Sequence, residues 1–227
     1  MLGALAAASV ICIGAAGCSG DGASDGPAEA SGTSETSAAA ELCGGAMSPA
    51  AQKALARLTG STDLRSTDDD DTRSAAETLV AGWKPLSTPS GPAVDADLCA
   101  VSSEENWGNG PADVRIKFAL SDADTAKGGH ETAEELTPYE MGERASVGTQ
   151  YGFLWFSCTS EQLAGSKESP AYIQTEVRNA LPQDGDAGEL RDANATVVHS
   201  ASLALARQLK CDGGGGLESE PALKFSS

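Results

Sequence analysis

Four cysteines constrain this chain more than any other feature. Cys43, Cys99, Cys158 and Cys211 are spread over the body of the sequence, and no two have the C-x-x-C spacing of a redox or zinc site. An even number in an exported chain reads as two disulfides. Three connectivities are open, and order in the chain favours Cys43–Cys99 with Cys158–Cys211. Each pair would close a loop of about 55 residues and remove on the order of 4 kcal/mol of unfolded-state entropy. Such staples matter because three Trp, three Tyr and four Phe are all the aromatics available to a core otherwise rich in Ala and Gly.

Whether those cysteines oxidise depends on compartment, and the N-terminus bears on that. Residues 2–16 are apolar or small and carry no charge. The run falls short of the about 20 residues a transmembrane helix needs and has the length of a signal-peptide hydrophobic region. Ala15-Ala16-Gly17-Cys18 resembles a bacterial lipobox, in which the Cys is diacylated and becomes the mature N-terminus. The resemblance implies a signal peptide over 1–17, which takes Cys12 with it, and a lipid on Cys18. Ala15 stands where Leu is commoner, and no Lys or Arg precedes Lys53. A start codon upstream, with a basic leader, is therefore expected. Two acyl chains, at about 0.8 kcal/mol per buried CH₂, hold a protein on a membrane where one would not. The membrane is thus the expected partner of Cys18, with the rest of the chain outside the cytoplasm.

All 33 acids and 15 bases follow Cys18, so the mature chain keeps the net charge of −18. That balance disfavours nucleic acid, whose binding rests on Lys and Arg neutralising phosphates. It also repels an anionic bilayer within roughly 8–10 Å. Residues 19–40 contain no large apolar side chain, so 18–40 reads as the lipidated Cys followed by a flexible spacer with a reach of about 25 Å.

Periodicity predicts one α+β domain over 41–211. Ser48 and Pro49 read as a helix start, and Ala51, Ala54, Leu55 and Leu58 form the apolar stripe that follows, with Gly60 as its stop. A second helix is predicted over 72–83, with Ala76, Leu79, Val80 and Trp83 on one face. Strand signals follow at 98–102, 113–120, 143–147, 151–158 and 171–181. Val114, Ile116, Phe118 and Leu120 alternate with Arg115 and Lys117, the pattern of a half-buried strand. Residues 143–147 read as a short edge strand. Residues 151–158 are apolar on both faces, which predicts a central strand with Phe153 and Trp155 in the core. A last helix over 187–209 would bury Leu190, Val197, Val198, Ala201, Leu205 and Leu209. Helices at the ends and strands between give α+β: an antiparallel sheet of four to five strands, two N-terminal helices, one long C-terminal helix and two disulfides. Residues 212–227, opening on a run of glycines, read as a disordered tail.

Leu42-Cys43-Gly44-Gly45 before a helix, a second Cys on an early strand, and Val197-Val198-His199-Ser200 leading to Lys210-Cys211 resemble secreted lipoproteins of actinobacteria. The shared motifs are structural. The resemblance implies fold and location and brings no active site.

Catalytic signatures are lacking. Gly22-Ala23-Ser24-Asp25-Gly26 matches G-x-S-x-G, but that motif needs a strand-to-helix turn and here lies in the spacer. No S-x-x-K or H-E-x-x-H occurs. His130 near Glu134 and Glu135 reads as a loop histidine among solvated acids, and His199 as a boundary residue on the last helix. Asp68 to Asp71 lack the spaced pattern of a calcium loop and read as a solvated turn with a helix cap. The sequence therefore assigns no catalytic residue, no metal ligand and no cofactor. Trp107, in an Asn/Gly loop between strands, is the candidate partner anchor, since Trp is enriched at interaction hot spots. The other reading folds it over the hairpin as local core. The leading expectation is a non-catalytic binding or interaction module whose partner is a cell-envelope protein or a wall polymer. An envelope hydrolase using paired carboxylates and a small-ligand carrier are the alternatives.

Overall fold

A computed structural model describes residues 39–67, 71–85, 94–128, 136–180 and 184–225. Helix α1 (Pro49–Thr59) begins where its side chains dictate: Ser48 accepts from the Ala51 N–H at 3.2 Å, and Pro49 takes the first turn. Gly60 ends it in the left-handed region. Asp71 caps α2 (Thr72–Gly82) by accepting from the Ser74 N–H at 2.8 Å. A four-residue helix, α3 (Ala123–Ala126), is capped by Asp122. The long helix α4 (Ala187–Gln208) is capped by Asp186, and its expected apolar residues are all buried.

Among the described residues seven strands form one sheet: β1 (Leu64–Ser66), β2 (Asp95–Ser103), β3 (Val114–Ser121), β4 (Thr137–Tyr139), β5 (Arg144–Val147), β6 (Tyr151–Cys158) and β7 (Ala171–Asn179). Their order is β1-β2-β3-β7-β6-β5-β4, with every neighbouring pair antiparallel. Two meanders, β1 to β3 and β4 to β7, are thus joined along β3 and β7. Val114, Ile116 and Phe118 on β3, Leu154 and Phe156 on β6, and Ile173 and Val177 on β7 point to one face and are buried. The long helices cover that face. Ser202 Oγ donates from α4 to Thr175 Oγ1 at 2.7 Å, and Asn179 Nδ2 donates to the Leu58 carbonyl of α1 at 2.9 Å.

The α+β class, the long C-terminal helix and the two disulfides follow the sequence expectation. The bridges are Cys43–Cys99, which ties a 3-10 segment (Ala39–Gly45) to β2, and Cys158–Cys211, which ties β6 to the end of α4. The strand count does not follow. Seven strands replace four to five because β1 and β4 have three residues each, too few to show a period. β1 also separates the two N-terminal helices, where the aspartate run suggests only a loop. β4 lies outside β5, so 144–147 is not an edge strand. β6 is an interior strand, paired with β7 and β5 as its two-sided apolarity suggests, and β7 is the middle one.

Residues 212–225 also differ from the disordered tail that their glycines suggest. A 3-10 turn (Asp212–Gly216) runs through Gly213, Gly214 and Gly215 at φ of 57°, 67° and 69°, values that glycine adopts without steric cost. Leu217 is buried beyond it, and Phe225 bridges to Tyr139 of β4, the rings meeting edge to face at 5.2 Å.

Candidate functional site

The sheet face turned away from α1, α2 and α4 carries a ladder of three aromatic side chains. Tyr151, Phe153 and Trp155 alternate along β6 with the buried Leu154 and Phe156, so all three rings stand on this face. The Tyr151 and Phe153 rings are 6.3 Å apart and within 3° of parallel; Phe153 and Trp155 are 5.9 Å apart. Tyr151 and Phe153 are half-buried. Trp155 is 6% exposed, with the Arg144 guanidinium 4.7 Å from its ring centre. Its indole N–H has no hydrogen-bond acceptor among the described residues. Phe153 and Trp155 therefore do not belong to the core between sheet and helices, as the two-sided apolarity of β6 suggests. The telling signal is the neighbouring strand: β7 presents Gln174, Glu176 and Arg178 on its non-core side, and the β6 aromatics must share it.

Polar groups continue the ladder across the sheet in register. Trp155 pairs with Gln174, and Gln174 in turn with Ala119. Phe153 pairs with Glu176, which accepts from Lys117 Nζ at 3.2 Å. Tyr151 pairs with Arg178, whose guanidinium lies 5.7 Å from the Tyr151 ring centre, and Arg178 pairs with Arg115. A cavity of about 240 Å³ beside the ladder is lined by Asp95, Lys117, Ala119, Gln174 and Glu176. Asp95 is exposed, and Glu176 is engaged by Lys117.

The far end of this face is closed by α3. Arg144 Nη1 donates to the Thr125 carbonyl at 3.1 Å, and Lys127 lies 5.3 Å from the Tyr172 ring centre. The Tyr172 hydroxyl, acting as a hydrogen-bond partner, raises the Lys127 pKa. The Thr125 backbone and side-chain donors lower that of Asp122, fixing the cap as an anion.

Trp107 lies at the other end, in the β2–β3 connection. The buried Asp113 organises this loop by accepting from the Ser103 N–H at 2.8 Å and from Asn106 Nδ2 at 3.0 Å. Trp107 is half-buried, with the Arg65 guanidinium 4.8 Å from its ring centre, and Arg65 also meets Glu104 at 3.4 Å. Register places Arg115, Arg178 and Tyr151 at this same end of the sheet. The candidate anchor that the sequence singles out and the ladder that it does not thus border one end of one sheet.

Other candidates fall elsewhere. Cys18, the G-x-S-x-G match, Asp68 to Asp70 and His130 with its acidic neighbours lie outside the described residues. Asp71 is a helix cap. His199 is 3% exposed and hydrogen-bonded to the backbone of Glu218; burial, aided by Arg207, lowers its pKa below 6.5. Among the described residues no group of His, Cys, Asp or Glu could hold a metal ion, and no helix is long and apolar enough to cross a membrane. No protein-family model, curated protein or solved structure matches the chain.

Proposed function

We propose that this protein is a lipid-tethered, extracytoplasmic binding module that holds an envelope glycan on the open face of its sheet. The aromatic ladder of β6 carries this reading. Sugar rings present C–H faces that pack on aromatic rings, while their hydroxyls pair with planar amide, carboxylate and guanidinium groups. Tyr151 and Phe153 supply the rings, and Gln174, Glu176 and Asp95 supply the polar groups beside them. A shallow face suits a polymer better than a small ligand, which is taken into an enclosed apolar pocket. Trp107 borders the same end and forms a second contact. Cys18 anchors the module through its lipid, and the residues between it and the 3-10 segment supply clearance above the bilayer. Two disulfides suit an oxidising compartment outside the cytoplasm.

The test uses the mature chain with Cys18→Ser, which removes the anchor, sedimented with purified wall polysaccharide. Saturable retention is expected. Tyr151→Ala/Phe153→Ala should weaken it by about tenfold or more, a loss of about 1.4 kcal/mol, which is ordinary for an aromatic hot spot. Retention that the double variant leaves unchanged, or none at all, would sink the reading. Incorporation of labelled palmitate by the wild type and not by Cys18→Ser checks the anchor separately.

A further inference from the structure

Arg115 on β3 and Arg178 on β7 face one another directly, on the open side of the sheet, and both are exposed. Like charges set opposite across an antiparallel pair destabilise it. Neither arginine forms an ion pair among the described residues. The chain has 33 acids against 15 bases, so acidic partners were readily available, and the bare pair is a local exception to the charge of the whole molecule. The next row of the same face is acid-rich: Asp97, Lys117 and Glu176 lie across it in register. An anionic group is therefore favoured at the arginine row over the next one, where Lys117 is already paired with Glu176.

We propose that this pair is the acid-reading end of the glycan site, and that its ligand is a polysaccharide bearing sugar carboxylates. The proposal rests on the glycan reading above and names the class of sugar. Tyr151 shares the row, and Arg178 already lies 5.7 Å from its ring centre. A sugar packed on Tyr151 with a carboxylate borne directly on its ring needs little reach to place that group between the two guanidinium forks. Guanidinium is suited to this role because its planar donors match a carboxylate two at a time. The rest of the polymer then lies along Phe153 and over Gln174 and Glu176, where hydroxyls can be held and a second charge could not. That arrangement selects a polymer whose charges are spaced, not one charged at every position.

The test compares wall polysaccharide in three forms: native, carboxyl-reduced so that each uronate becomes a neutral sugar, and treated to remove phosphodiesters. Retention of the mature Cys18→Ser chain is measured at low and high salt. Carboxyl reduction should lower wild-type affinity by about tenfold or more. In the Arg115→Gln/Arg178→Gln variant native and carboxyl-reduced polymer should bind alike, and high salt should erase the wild-type difference. Both side chains are exposed, and the substitution relieves a repulsion, so the thermal midpoint should not fall. Loss of affinity on phosphodiester removal, with carboxyl reduction harmless, overturns the carboxylate assignment. If neither treatment matters while Tyr151→Ala/Phe153→Ala abolishes retention, the glycan reading stands and this inference fails. If no form is retained, both fall.

Discussion

Gly215 and Gly216 adjoin in the turn after α4, at φ of 69° and 72°, yet their surroundings differ. A Cβ on Gly215 would stand 2.8 Å from Phe156 Cδ2 and 3.1 Å from the Ser157 carbonyl, whereas one on Gly216 would meet nothing within 4 Å. Gly216→Ala should therefore cost about 1–2 kcal/mol, the left-handed penalty alone. Gly215→Ala should cost about 2–4 kcal/mol, because overpacking against β6 is added. Urea denaturation of the two variants separates conformation from contact. A second residue-scale effect belongs to His199. Its burial lowers the folded-state pKa below 6.5, so the unfolded chain takes up a proton where the folded chain does not. The stability it contributes is complete above pH 6.5, declines as pH falls from 6.5 through the folded value, and then levels off. The slope within that window is at most about 1.4 kcal/mol per pH unit. Denaturation midpoints measured across it should fall with pH, and His199→Gln should flatten the fall. Neither residue's role could be read from the sequence. His199 has the spacing of a helix flank, and it is buried and hydrogen-bonded to the Glu218 backbone in the segment that composition marks as loose.

At the scale of elements, long amphipathic segments were legible and short or two-sided ones were not. α1, α2 and α4 are marked by caps and stripes, and β3 and β7 by alternation. β6 is located by its sequence but not oriented, because a strand apolar on both sides does not say which side meets the helices. That orientation is set partly by Asn194 on α4, whose Nδ2 donates to the carbonyls of Gly148 at 3.1 Å and Thr149 at 2.9 Å. These bonds pin the β5–β6 turn under the helix. The close approach is possible because Gly152 has no side chain: a Cβ there would lie 3.3 Å from the Asn194 carbonyl oxygen. Asn194→Ala leaves two carbonyls without their donor, one of those bonds buried, and should cost about 2–3 kcal/mol. Because Tyr151 follows that turn, the variant should also weaken the proposed glycan retention under conditions where it remains folded. Asn194→Asp, which sets carboxylate oxygen against carbonyl oxygen, should be worse. An Asn194→Ala chain with wild-type denaturation midpoint and wild-type retention would show that the turn holds its place without α4.

For the whole molecule, the two disulfides act on separate stretches of chain. Cys43–Cys99 closes a loop with a sequence separation of 56 and Cys158–Cys211 one of 53, and the loops do not overlap. Each stabilises by restricting the unfolded chain, by about 4 kcal/mol in the entropic account. Because neither loop encloses the other, closing one leaves the entropy of the other nearly unchanged. The two contributions should add to within about 0.5 kcal/mol. Cys43→Ser/Cys99→Ser loosens β2 and the 3-10 segment before α1. Cys158→Ser/Cys211→Ser frees the ends of β6 and α4, and with them the 212–225 segment that packs on Phe156. The second pair should therefore cost more than its loop length alone predicts, because Gly215 and Leu217 no longer pack firmly against β6 and α4 once that segment is free. Urea denaturation of both double variants and of the chain lacking all four cysteines measures the three quantities. Unequal costs with Cys158–Cys211 the larger, and a sum matched by the chain lacking all four disulfide cysteines, are the expected result. Wild-type stability in that quadruple variant would remove the physical reason for the fold to require an oxidising compartment, and with it one support for placing the module outside the cytoplasm.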